Sequence, residues 1–292
     1  MTRALVLGGG GPVGIAWESG LVAGLAERGI DAGQADFIIG TSAGSAVGAQ
    51  LAMGRTPQQM YASVAADAGS ARPGPTRSNT GQGGAAPNLM PLMELMQKAA
   101  KGDVPAEEVR KEIGAFALQA QTMSEEDFIA TFGRMLASSE SWPEKRYMCT
   151  AVDALTGEFQ TWSNDSGVPL SRAIASSCSV PGIYPPITIN GRRYIDGGMR
   201  SGTNADLAEG YDNVLVVVVS AGIPGPRADA SQKRLESELD VLRKSGSNVS
   251  VISPDAASIE AFGENLMDFR RRAGAADAGL AQGRDTASQI TW

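Results

Sequence analysis

Histidine is absent from this 292-residue sequence. That rules out a Ser-His-Asp triad, a Cys-His pair and any His-ligated metal centre, so a nucleophilic serine here needs a carboxylate or a lysine as its base. Cysteine is nearly as scarce. Cys149 and Cys178 match no metal-ligand spacing and sit in strand-like or small-residue surroundings, which predicts buried free thiols. No apolar run approaches the ~20 residues of a membrane-spanning helix, and the longest candidate, Val214 to Val219, has the length of a strand. The opening Met1-Thr2-Arg3 enters a strand without the apolar core and cleavage site of a secretory signal, so the expected location is the cytoplasm. Lys and Arg total 25 against 32 Asp and Glu, and the net charge of −7 argues against nucleic acid as a partner.

What is present is glycine, at 36 positions, concentrated where strands turn into helices. Arg3 to Leu7 reads as a short buried strand running into Gly8-Gly9-Gly10-Gly11-Pro12-Val13-Gly14 and a helix that continues to about Arg28. A second unit follows: Phe37-Ile38-Ile39, then Gly40-Thr41-Ser42-Ala43-Gly44, then a helix from Ser45 to Met53. Two consecutive strand-loop-helix units predict a parallel sheet, whose loops open side by side at the carboxyl ends of the strands. The expected fold class is therefore α/β, three layers with helices on both faces of a mainly parallel sheet, in one domain over residues 1–292. A flexible and helical insertion is expected at about 66–142. It includes a Gly/Pro/Ser-rich stretch from Asp67 to Pro87, a Met-rich helix with Leu92, Met93 and Met96, and a helix from Ser124 to Ala137. That Met-rich helix either packs on the core or lines a lipid channel or lid. Hairpins are expected at 147–162 and 187–195, with further strands at Val214 to Val219 and Val249 to Ile252. A helix from about Ala256 to Phe269 is expected to end in the solvated cations Arg270-Arg271-Arg272.

Gly40-Thr41-Ser42-Ala43-Gly44 has the Gly-x-Ser-x-Gly spacing of a nucleophile elbow in its strand-turn-helix setting, although the spacing also arises by chance in a Gly-rich chain. Ser42 is the candidate nucleophile, with Gly40 and Gly44 as the small residues of the bend. Asp196 is the candidate base, because Gly197-Gly198 let the backbone bend tightly after a hairpin strand. The glycine run, Gly9, Gly10 and Gly11, supplies candidate oxyanion-hole amides at a helix start. The same run also satisfies Gly9-x-Gly11-x-x-Gly14, a dinucleotide fingerprint with Asp31 or Asp36 near the ribose-binding spacing.

Together with the stretch from Ala175 to Gly182, Pro185-Pro186, and Asp196-Gly197-Gly198 with Asn204, these blocks resemble the patatin-like phospholipases in content and order, over roughly residues 3–54 and 147–270. The resemblance implies a Ser-Asp dyad of Ser42 and Asp196, an oxyanion hole from the glycine loop, and hydrolysis of lipid acyl esters with no metal or other cofactor. Lipid or acyl ester substrates and transient contact with a membrane surface are the partners it implies. One position departs from the family pattern: Val13 stands where the family usually carries Arg or Lys.

Overall fold

The computed structural model describes residues 1–69, 89–102, 104–137, 140–222 and 228–292. Eight strands form one sheet: β1 (Arg3–Leu7), β2 (Phe37–Gly40), β3 (Arg146–Asp153), β4 (Phe159–Trp162), β5 (Ile187–Ile189), β6 (Arg192–Asp196), β7 (Asn213–Val217) and β8 (Asn248–Ile252). Their order is β5-β6-β3-β2-β1-β7-β8, with β4 added to β3. The run β3-β2-β1-β7-β8 is parallel; β4, β5 and β6 pair antiparallel. The described helices are α1 (Gly11–Glu27), α2 (Ala43–Ala52), α3 (Pro57–Gly69), α4 (Met90–Lys101), α5 (Ala106–Gln119), α6 (Glu125–Met135), α7 (Leu170–Ser177), α8 (Ala228–Lys244), α9 (Ala256–Phe262) and α10 (Arg272–Thr286).

Side-chain alternation along the strands builds the layers. Leu5, Leu7, Ile38, Leu215 and Val217 face a core shared with α1, α2 and α10, while Ala4, Val6, Ile39, Val214 and Val216 face α8 on the other side. Because both faces are covered, these strands are continuous apolar runs. α4 and α5 close the second face over Val152 and Ile195. Of the Met-rich segment, Leu92 is buried in that layer while Met93 is exposed, so α4 packs on the sheet rather than lining the channel considered above.

α1 is buried nearly all round, which a sheet on one side alone would not produce. α10 lies against its other side at a distance set by glycines on both helices. A Cβ at Gly20 would stand 2.0 Å from the Ala276 carbonyl, and one at Gly279 2.2 Å from the Trp17 carbonyl. Gly279→Ala tests this crossing. Alanine gains about 1 kcal/mol of helix propensity, but overpacking against a fixed backbone costs about 1–3 kcal/mol, so the clash dominates. A lower urea midpoint is the expected result, and an unchanged or higher one would mean the helices can separate freely.

Several elements differ from the sequence reading. The helix from Ala256 stops at Phe262, where Gly263 takes φ 65°, and Arg272 begins α10. Arg270-Arg271-Arg272 thus precedes a helix instead of ending one, and Arg270 is held by Asp268 at 2.8 Å. The sequence reading passed over α3, although Thr56 and Gln59 form a reciprocal cap: the Gln59 amide donates to the Thr56 hydroxyl and the Thr56 amide to the Gln59 side chain. It also omitted α5, α8 and α10. The expected helix at Ser124 to Ala137 is present as α6, capped by Ser124, whose hydroxyl accepts from the Asp127 amide. Most of the Gly/Pro/Ser-rich stretch lies outside the described residues.

Candidate active site

The loops after β1 and β2 lie side by side, as neighbouring parallel strands require. The Gly44 amide donates to the Gly8 carbonyl at 2.9 Å and the Thr41 amide to the Leu7 carbonyl at 3.0 Å. Ser42 sits on the turn between β2 and α2 with φ 52° and ψ −116°, a conformation costing a non-glycine residue about 1–3 kcal/mol. The turn is tight because its flanking residues have no side chains. A Cβ at Gly44 would lie 2.1 Å from the Leu7 carbonyl oxygen, and one at Gly40 2.4 Å from the Ser45 Cα.

Hydrogen bonds from α2, from α7 and from the turn that ends α7 hold the strained residue. The Ser42 amide donates to the Ser177 hydroxyl at 3.0 Å, and the Ser42 carbonyl accepts from the Ser45 hydroxyl at 2.6 Å and the Cys178 thiol at 3.1 Å. Both cysteines are buried and free, and burial pushes the Cys149 thiol up to about 12 and the Cys178 thiol well above its usual range, so neither ionises near neutrality. Ser177→Ala removes an acceptor from a buried amide, a loss of about 1–3 kcal/mol. The nucleophile then loses its fixed position, so we expect a lower kcat with little change in KM. An unaltered kcat would show that Ser177 has no positioning role.

Asp196 reaches the same place from the opposite direction. Gly40 pairs with Cys149 on β3, and Asp196 pairs with Ala151. β4 covers the other edge of β3 over residues 149–152, so β2 and β6 share one edge and point their ends at each other. The Asp196 amide donates to the Ser179 carbonyl at 3.0 Å, and one carboxyl oxygen accepts from the Gly198 amide at 2.7 Å. Burial raises its pKa to about 7, despite opposing hydrogen bonds from the Ser42 side chain and the Gly198 amide. The structure therefore brings Ser42 and Asp196 together. The segment Ser177-Cys178-Ser179 touches both, through side chains for Ser42 and through a carbonyl for Asp196.

Of the three glycines considered for oxyanion binding, Gly9 is a correction. Its amide is committed to the Gly202 carbonyl at 2.8 Å, and what it offers the site is its lack of a side chain, since a Cβ would lie 3.3 Å from the Cβ of Ser42. Gly10 and Gly11 stand at the start of α1, where a helix has no internal carbonyl for its first amides. Gly11 adopts φ 59° and lies under residues 266–267, where a side chain would meet the Leu266 carbonyl at 2.8 Å. Val13 is fully buried, and its amide donates to that same carbonyl at 3.2 Å.

The dinucleotide alternative fails on position. The Asp31 carboxylate accepts from Gly33, and that of Asp36 accepts from the Arg3 amide at 2.7 Å. Asp36 immediately precedes β2, so it sits at the sheet edge opposite the glycine loop.

Two buried polar residues carry no role that the sequence assigns. Asn204, in the left-handed conformation, donates through its side chain to Thr41 at 3.0 Å and to the Ser201 carbonyl at 2.9 Å, fixing the residue before the nucleophile. Its place within a quoted motif was the available signal, but its role was not legible. Glu18, on α1, is fully buried with no partner for either carboxyl oxygen among the described residues. Burial holds its pKa well above the carboxylate range; the nearby Gly8 amide, whose hydrogen goes to the Val217 carbonyl at 3.0 Å, offsets only part of this.

Ser42 lies at the buried end of a cavity of about 800 Å³. Ile15, Phe128, Phe132, Met135 and Tyr184 supply apolar wall, so α6 is the part of the predicted insertion that shapes it. Among the described residues lining it there is no carboxylate. No described helix is long and apolar enough to cross a membrane.

No curated protein sequence matches this chain. Among solved structures, it is similar to VipD from Legionella pneumophila, with a TM-score of 0.50 and 16% identity over 99% of this chain and 67% of that one. The type III effector protein ExoU matches with a TM-score of 0.41 and 16% identity, over 99% of this chain and 53% of ExoU, about half its length. At that identity the likeness to VipD speaks to the fold. The family model described as patatin-like phospholipase matches residues 5–209, most of the chain, and includes the glycine loop, Ser42 and Asp196. This chain therefore belongs to the patatin-like phospholipase family, a family of lipid acyl ester hydrolases.

Proposed function

We propose that the chain hydrolyses lipid acyl esters with Ser42 as nucleophile and Asp196 as its base. The observation that carries this reading is the meeting of a strained, buried serine with a carboxylate whose pKa is raised to about 7, at the deep end of a largely apolar cavity. A carboxylate at its ordinary pKa is too weak a base to take a serine proton near neutrality; one near 7 is matched to the task while remaining half ionised there.

In the forward step Ser42 attacks the ester carbonyl while Asp196 accepts its proton, and the Gly10 and Gly11 amides stabilise the developing oxyanion. Protonated Asp196 returns the proton to the leaving alcohol. Water, deprotonated by the same carboxylate, then releases the acyl group and restores both residues. The apolar wall is suited to an acyl chain. Phospholipase, lysophospholipase and simple esterase activities are all compatible with this chemistry.

A fluorophosphonate probe followed by peptide mapping tests the nucleophile directly. Label on Ser42 is the expected result, and no label on natively folded protein would leave a lipid-binding member of the family without acyl-enzyme chemistry. Because Asp196 must be ionised to act, kcat/KM on a soluble ester is expected to rise as pH increases through about 7 and then level off. A profile already flat from pH 5 would exclude a base with the environment of Asp196.

A further inference from the structure

The cavity has a closed end and an open rim, and their chemistry differs. Ser42 is 7% exposed, whereas Met53, at the other end of α2, is 38% exposed. Arg55 and Arg134 line the same opening, following Met53 on one side and in the last turn of α6 on the other. Among the described residues, both arginines have only uncharged partners. Arg55 donates to the Gln50 side chain and to the Gln59 carbonyl, and Arg134 approaches the Thr131 hydroxyl at 3.5 Å. Arg172, Arg192, Arg200, Arg234 and Arg284 are each paired with a carboxylate, whereas Arg110, Arg146 and Arg193, which do not line the cavity, share the uncharged partnering of the rim pair among the described residues. Two cations with no counterion among the described residues thus flank an exposed methionine on a chain of net charge −7, at an opening whose described lining holds no carboxylate.

Arg55, past the end of α2, stands well along that helix from the reacting serine. The guanidinium of Arg55 folds back to Gln50, yet Gln50 is eight residues along α2 from Ser42, a separation on the order of 10 Å. A glycerolipid whose ester lies at Ser42 carries its phosphate only a few bonds away. On the Arg55 side the rim is therefore better placed for the headgroups of neighbouring lipids than for that of the bound one.

We propose that the rim formed by Met53, Arg55 and Arg134 docks on an anionic lipid surface, with the arginines on the headgroup phosphates of neighbouring lipids and Met53 entering the apolar boundary. Attraction at the rim and repulsion of the rest of an acidic molecule turn the cavity mouth toward the bilayer. This proposal rests on membership of a lipid-hydrolase family and does not depend on Ser42 being the nucleophile.

The test is partition of the full chain, carrying Ser42→Ala so that the lipids stay intact, onto vesicles of phosphatidylcholine alone or mixed equally with phosphatidylglycerol. Binding to the mixed vesicles is expected to be about 10-fold tighter or more, and the advantage should vanish in about 0.5 M salt and in the pair Arg55→Glu/Arg134→Glu. Arg55→Gln/Arg134→Gln should lose part of it with an unchanged Tm, which separates loss of charge from loss of fold. Met53→Ser is expected to weaken binding to both vesicle types. Equal partition of the parent protein onto the two vesicles would overturn the proposal, as would a charge-reversed pair that still prefers the anionic one. It would also fall if the arginine variants bound vesicles normally but raised KM for a soluble anionic ester, since the arginines would then read single substrate molecules.

Discussion

Ser42→Ala is expected to lower ester turnover by about 10⁵-fold, because Ser42 carries the elbow hydroxyl that lines the cavity, while that of Thr41 is buried against Thr150 and Asn204. The variant should fold normally, since alanine meets the same backbone strain as serine at φ 52°. Two further readouts are specific to this site. The Ser42 hydroxyl helps to hold the Asp196 pKa down, so its removal should push that pKa above about 7. Ser42→Gly should be equally inactive but more thermostable, because relief of about 1–3 kcal/mol of strain exceeds the entropic cost of glycine. Turnover of Ser42→Ala within tenfold of the parent would remove Ser42 from the chemistry.

Asp196→Asn is expected to reduce kcat by roughly 10²–10⁴-fold while stabilising the protein in alkaline solution. Folding raises the pKa of this carboxyl from 3.8 to about 7, so the fold favours the protonated form. That stabilisation is fully present below pH 3.8 and is lost as pH rises through about 7. By pH 8 the buried carboxylate is ionised and has forfeited on the order of 4 kcal/mol, which an amide of the same shape does not. Asn can still accept from the Gly198 amide. The variant should therefore melt on the order of 5 °C above the parent at pH 8, with roughly a third of that difference at pH 5 and none below about pH 3.8. A difference in Tm independent of pH would show that Asp196 does not titrate near neutrality. On the expected result, the residue proposed as base carries a cost in stability that activity requires.

Legibility in the sequence followed the range of the forces involved. The elbow was readable because its requirements are local: Gly40 and Gly44 are small because Ser45 and Leu7 press against them. Strands β1, β2 and β7 were readable as apolar runs, since both faces of each are covered. α10 was not, because its pattern answers to glycines of α1 more than 250 residues away, and a helix buried on several sides has no single apolar stripe. The Met-rich segment drew attention as a lipid contact, yet the cavity wall comes from α6, whose Phe128, Phe132 and Met135 read equally well as core. Gly9 reads as an oxyanion donor in the sequence, whereas in the fold the Gly202 carbonyl occupies its amide.

By itself the sequence determined that any serine chemistry here must do without histidine, that Ser42 sits on a glycine-bounded turn, and that Asp196 ends a hairpin strand before two glycines. Those are properties of residue identity and short-range sterics. Only the tertiary structure decided that the two meet. β3 is twice as long as β2, and β6 fills the edge that β2 leaves open, so two strands end face to face with the carboxyl sealed from water. That seal also produces the raised pKa, because desolvation belongs to the assembled core and not to any segment of the chain.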